Sequence, residues 1–344
     1  MKAVQVHSYD QMPKLTEISA PQITSPMDVI VKVMGAGVCR TDLHIIEGQW
    51  EQKSAVTLPY TIGHENAGEI VEIGEGVSNV AIGDRVILHP LATCGLCPAC
   101  RSGDDVHCAK SYFPGVDSDG GMAELLKTSA RSVVKLDPEL HPADVAALAD
   151  AGLTAYHAVR KATALLRPGH RVVVIGAGGL GHIGIQALKA MSASTIIVVD
   201  RSSTSLGLAK ELGADHAVLA DGNEMATVHN LTDGQGAEVI LDFVGEGGAV
   251  ETGLGMLKRA GSYFVIGYGG ELRVPTIDII SSEINFVGNL VGTYNDLVEL
   301  MALAAAGKVK LHTVKYSFSD FDRALDDLNN GRVRGRAVLV PDEN

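Results

Sequence analysis

Cys94, Cys97, Cys100 and Cys108 fall within the run CGLCPACRSGDDVHC, with the spacing C-x2-C-x2-C-x7-C. Four thiolates on one short loop can close a tetrahedral zinc shell. The chain holds only 5 cysteines, so chance clustering explains the run poorly. Two other chemistries compete. A disulfide framework suits a secreted chain, but the opening MKAVQVHSYD lacks the apolar stretch and small-residue cleavage site of a signal peptide. A bacterial ferredoxin-type cluster needs three residues before its fourth cysteine and a proline after it; here the gap is seven and Ala109 follows. Structural zinc fits ligand type and spacing better than either. Cys39, in GVCRTDLH, stands outside the run, and His64 lies in GHENAG. Both residue types ligate zinc, although a lone cysteine is more often a small core residue.

A second chemistry is written in VVVIGAGGLG, where Gly176, Gly178 and Gly181 form G-x-G-x-x-G around Ala177, Gly179 and Leu180. The first glycine permits a tight turn, the second lets the backbone approach a pyrophosphate, and the third lets helix and strand pack closely. A helix N-terminus behind the loop offers free N–H groups to phosphates. Asp200 ends the next apolar run, 19 residues beyond Gly181, where an acid meets the adenosine ribose hydroxyls. A carboxylate there repels the 2′-phosphate of NADP, so NAD is the expected cofactor. Arg201 follows it and could pair with a phosphate, stack on adenine or point to solvent.

The elements that must position these residues divide the chain. Up to residue 149, valine- and isoleucine-rich runs at 29–38 and 69–74 and GDRVILHP at 83–90 read as strands between Pro, Gly, Asn and Asp turns. Few segments there carry a helical period. From about 150 the pattern alternates: helical runs at 143–150, 154–162, 181–191 and 205–213, and apolar strands at 172–176, 196–200, 217–220, 239–245 and 262–267. Such alternation predicts an α/β domain with a parallel sheet covered on both faces. NFVGNLVG (285–292) reads as its last strand and 295–307 as a helix leading out. The tail from about 310 returns to β character and is expected to fold back on the first domain. The expected boundaries are 1–152, with a zinc lobe at about 90–110, then 153–294, then 295–344.

Composition bounds the function. A chain of 344 residues, 46% hydrophobic and 20% charged, has room for two ordinary cores. A net charge of −13 argues against nucleic-acid or anionic-membrane partners. No apolar stretch approaches the ~20 residues of a membrane span. Cysteines kept reduced as metal ligands fit the cytosol.

GHENAGEIVEIG (63–74), GDRV (83–86), the four-cysteine lobe and GAGGLG with Asp200 occur in one order over essentially the whole length. Together they resemble the zinc-dependent medium-chain alcohol dehydrogenases, in the branch that includes bacterial and archaeal secondary alcohol dehydrogenases. The resemblance implies a GroES-like β-rich catalytic domain interrupted by a Rossmann domain, with two zincs per subunit and NAD. It implies a catalytic zinc on Cys39 and His64 with a third ligand near the start of the cofactor domain. No cysteine remains for that place, and Asp150, opening DAGLTAYHA, stands at it; a helix-start acid is the structural alternative. Glu65 is implied beside the metal or as an occasional ligand. Thr41 is implied to take the alcohol proton and His44 to pass it toward solvent. Asp42 would orient His64, unless it caps the turn that follows. Arg336 in RGRAVLV matches an arginine that reaches the cofactor pyrophosphate. Trp50 would line the pocket mouth. Leu91 stands where some relatives carry a larger ring, which implies room for bulky or aryl secondary alcohols and ketones. A homotetramer paired through the last Rossmann strand is implied as well. Three rivals remain: a polyol or threonine dehydrogenase of the same family, a zinc-free reductase, and a non-catalytic dinucleotide sensor.

Overall fold

The computed structural model describes residues 1–54 and 56–342, so the last two residues of the expected return segment lie outside it. The backbone forms two compact units: Met1–Ala151 with Thr293–Ala305 and Leu311–Asn344, and Gly152–Gly292 with Ala306–Lys310.

The first unit is built on a 7-stranded sheet. Its long central strand, Asp28–Val38, pairs antiparallel with Glu65–Ile73, with Leu125–Ser129 and with the C-terminal strand Arg336–Val340. Val29, Val31, Val33, Ile70, Val86 and Leu339 fill the core against it. A 3-stranded antiparallel sheet, Lys14–Glu17, Lys2–Val6 and Tyr60–Thr61, completes the unit. This is the β-rich, GroES-like half. One element departs from its sequence reading. Arg40–Ile46 is a helix, where the sequence reads as a turn. At 7 residues it is too short for its period to stand out.

The second unit is a 6-stranded sheet. In space the strands run His216–Leu219, Thr195–Asp200, Arg171–Ile175, Ala237–Asp242, Leu257–Val265, Asn285–Gly288, and every pairing is parallel. Numbered along the chain the order is 3-2-1-4-5-6, the Rossmann arrangement, in which ligands sit at the carboxyl ends where the order reverses. The central strand Arg171–Ile175 reads Val-Val-Val-Ile because helices bury both of its faces. The last strand stops at Gly288, short of the expected residue 292. The apolar run at 143–150 divides into Pro142–Val145 and the 3₁₀ turn Ala146–Leu148. Among the described residues no helix is long and apolar enough to cross a membrane.

Candidate functional site

The strand Asp28–Val38 delivers Cys39, the helix Arg40–Ile46 carries Thr41, Asp42 and His44, and His64-Glu65 open the neighbouring strand. Asp150 immediately precedes the helix Ala151–Thr163. Cys39, His64, Glu65 and Asp150 converge so that one donor atom of each lies within 4.8 Å of the others. The Nε2 of His64 is 3.4 Å from the Asp150 carboxylate. Two donors at zinc–ligand distances on a tetrahedral ion stand about 3.4 Å apart. His64 is 1% exposed, yet neither ring nitrogen has a hydrogen-bond partner. A buried imidazole left so is costly unless a further group completes it. Burial opposes its protonation, but Asp42 and Asp150 hold its pKa well above the ordinary value. The cluster brings a thiol, an imidazole and two carboxyl groups to one point, and this donor set fits a zinc ion.

The supporting contacts explain why this geometry persists. Asp42, 0% exposed, uses one oxygen to accept the Cys39 N–H at 2.8 Å and so closes the capping box of its own helix. Its other oxygen lies 3.3 Å from the Nδ1 of His64. Asp42 is thus not the N-cap that the sequence alternative suggested: Cys39 holds that place and Asp42, three residues on, reaches back to it, while its second oxygen faces His64. Glu65, also 0% exposed, accepts the Ala151 N–H at 2.9 Å and pairs with Arg336. Burial raises the Glu65 pKa and the Arg336 guanidinium opposes the rise. Arg336 is 3% exposed and also faces the Cys39 thiol, so its partners here belong to the metal cluster. Room for Glu65 comes from Gly37 across the ladder, where an added Cβ would stand 2.0 Å from the Glu65 carboxylate. Thr41 and His44 sit three residues apart, hence on one face of their helix.

Sequence reasoning missed Phe113. Its ring stands edge-on to His64, with centroids 5.7 Å apart and planes at 87°. Nothing in the local pattern marks it, because it lies outside any strand or helix. Trp50 is half-buried against the first unit's core with Lys53 over its ring. Leu91 is buried, and its carbonyl accepts from His89 and Ser132.

The five cysteines are free thiols. Cys94, Cys97, Cys100 and Cys108 gather with their sulfurs within 4.8 Å of one another. Cys97 and Cys100 are 3.5 Å apart and Cys94 and Cys100 4.0 Å, against about 3.8 Å for thiolates on a tetrahedral zinc. Backbone N–H groups of Leu96 and Cys97 point at the Cys94 sulfur, and they push its pKa down to about 6. Those of Cys94 and Lys110 point at Cys108. All four zinc positions are then thiolates, which suits a structural ion. A cavity of about 450 Å³ beside this lobe is lined by Cys100, Asp105, Arg131 and Tyr294; Cys39, His64 and Asp150 do not contribute to it.

In the second unit, Gly176 turns the chain at φ +86° and the helix Gly181–Met191 begins behind it. An added Cβ on Gly181 would lie 1.8 Å from the Gly176 carbonyl, so the close approach needs glycine. Gly178 has open space around it, as a phosphate-facing position should. Asp200 accepts the N–H groups of Ala177 and Ser202, each at 2.7 Å, and so ties the glycine loop to the next strand end. Arg201 donates to the Gly247 carbonyl at 2.6 Å.

Comparisons with known proteins agree with this arrangement. Residues 25–138 match the model of the alcohol dehydrogenase GroES-like domain, and residues 179–306 that of zinc-binding dehydrogenase. The crystal structure of the alcohol dehydrogenase from Aeropyrum pernix superposes with a TM-score of 0.96 at 46% identity, covering 99% of this chain and 100% of that one. A NAD-dependent alcohol dehydrogenase from Sulfolobus acidocaldarius is 37% identical over 98% of this chain and 99% of its own. A D-arabinose 1-dehydrogenase (NADP(+)) from Saccharolobus solfataricus is 35% identical over 99% and 97%. With likeness along its whole length, a Cys-His-carboxylate cluster in one unit and a glycine loop in the other, the chain belongs to the zinc-type medium-chain alcohol dehydrogenases.

Proposed function

We propose that the protein is a zinc- and NAD-dependent alcohol dehydrogenase that interconverts small alcohols with ketones or aldehydes, secondary and aryl alcohols foremost. The convergence of Cys39, His64 and Asp150 on one point carries the reading. These three side chains would hold the catalytic zinc, with Glu65 beside them; bound there, the ion supplies Lewis-acid polarisation of the substrate oxygen. Asp42, 3.3 Å from the other ring nitrogen, would orient the His64 ring by its charge once the metal is bound. Glu65 and Arg336 offset one another's charge in a site closed to water. Thr41 takes the alcohol proton and His44, one turn on, receives it. The loop Gly176–Gly181 with Asp200 would hold the dinucleotide, whose nicotinamide would supply the hydride chemistry. Phe113 gives the site an apolar aromatic wall at His64, which suits aryl substituents.

Asp200 favours NAD over NADP by charge. A sugar-type substrate is the second reading, since the Saccharolobus relative is named for D-arabinose and NADP. A cytosolic homotetramer completes the proposal. Asn285–Gly288 is the edge of its sheet, and Ile277, Ile280 and Leu290 are exposed in the same unit. The reduced four-thiol lobe fits a reducing compartment.

A panel of alcohols, polyols, ketones and sugars with NAD and NADP, run beside zinc quantitation and light scattering, tests these points. Expected are two zincs per chain, faster turnover of 1-phenylethanol than of ethanol, and a tetramer. Asp150→Ala should lose activity and one zinc while keeping its circular dichroism. No cofactor reduction across the panel would sink the proposal; faster D-arabinose than alcohol oxidation would favour the sugar reading.

A further inference from the structure

We infer that Arg201 is a strap across the mouth of the dinucleotide groove, holding bound cofactor beneath it; this rests on the NAD reading above. Arg201 follows the strand Thr195–Asp200, and Gly247 follows Ala237–Asp242. Between them in the sheet lies Arg171–Ile175, whose carboxyl end opens into the glycine loop. Neighbouring strands are about 4.8 Å apart, so the bond from Arg201 to the Gly247 carbonyl joins the loops that follow two strands about 10 Å apart, on either side of the first strand's end. That end is where the sheet order reverses and where a dinucleotide lies.

Both anchors are built for the bond. Asp200 accepts the Ser202 N–H at 2.7 Å, which fixes the backbone on either side of Arg201. Gly247 has φ +59° and Gly248 φ +86°, a backbone that turns the Gly247 carbonyl toward the arginine. The guanidinium lies against Gly247, 3.1 Å from where a Cβ would be, so a larger residue would crowd it. At 2.6 Å this is a short, charge-assisted hydrogen bond. One of the five N–H donors of Arg201 is held by the Gly247 carbonyl, which ties the guanidinium across the groove rather than leaving it free to follow a 2′-phosphate. The strap therefore serves retention of either dinucleotide, and the choice between NAD and NADP is left to the charge of Asp200.

The test compares the holoenzyme with Arg201→Ala and Arg201→Lys. Calorimetry gives the affinities for NADH, NADPH and ADP-ribose, and stopped-flow displacement gives the NADH dissociation rate. Expected in Arg201→Ala is weakening of all three by a common factor of roughly ten, carried by faster dissociation. Arg201→Lys, which keeps the charge and loses the planar fork, should fall between. Selective weakening of NADPH would overturn the strap by making Arg201 a phosphate ligand. Unchanged affinities, or a loss carried by slower association, would overturn it as well. A wild-type enzyme that binds no NADH would take down the NAD reading and the strap with it.

Discussion

Asp42 shows how much one residue carries. Its carboxylate closes the capping box of the helix that bears Thr41 and His44 and lies beside the ring nitrogen of His64 that faces away from Asp150. Asp42→Asn keeps the volume and removes the charge. Partners of metal-bound histidines cost about 10–100-fold in activity or metal affinity when changed. A fall of that size in kcat/KM is expected, with the cysteine lobe still holding its zinc; near-native activity with two zincs would refute the assignment. Legibility at this scale was uneven. The lobe was readable because four like ligands sit close in sequence. Asp150 was readable only through the place it occupies in a known pattern. Phe113 and the pairing of Arg336 with Glu65 were not, since no periodicity or spacing encodes a contact between an irregular loop and a distant strand.

At the scale of elements, the alternation of apolar strands with helices made the Rossmann half legible, because burial on both faces leaves an unbroken hydrophobic signature. The helix Arg40–Ile46 was hidden by its shortness, although it carries Thr41 and His44, for which proton transfer is proposed. A buried polar knot secures the sheet. Asp242 accepts the Tyr263 hydroxyl at 2.6 Å and the N–H groups of Val244 and Gly245 at 2.8 and 2.9 Å. Burial and the adjacent carboxylate push the Tyr263 phenol above its ordinary range, so it stays a donor. Tyr263→Phe removes one of three donors to a fully buried carboxylate. A loss of about 1–3 kcal/mol is expected, read as a lower denaturation midpoint with an unchanged slope. The same loop carries Gly247, so a variant as stable as wild type would show that the knot does not brace it.

For the whole molecule, the cysteine lobe is a local staple. Cys100→Ser should lower the zinc content from two per chain to one and lower the melting temperature, while residual activity at low temperature follows the intact Cys39 cluster. Retention of both ions would mean that three thiolates suffice. The fold class was legible because its signatures recur in order along the chain. The chain's return to its first unit was legible only as β character in the tail. The antiparallel register, Ala337 against Val38 and Leu339 against Ala36, is a long-range pairing that local sequence does not express.

That register has a consequence for biosynthesis. Arg336 emerges 271 residues after Glu65. At about 5–20 residues per second, a ribosome takes roughly 14–54 s to supply it. Until then the nascent chain holds a carboxylate with no counter-charge and a central strand with an open side. The four cysteines emerge almost together, so the lobe can take up its ion early in translation. Cys39, His64 and Asp150 are all supplied by residue 150, so what the last strand adds to their cluster is the counter-charge of Arg336 on Glu65 and the closing edge of the sheet.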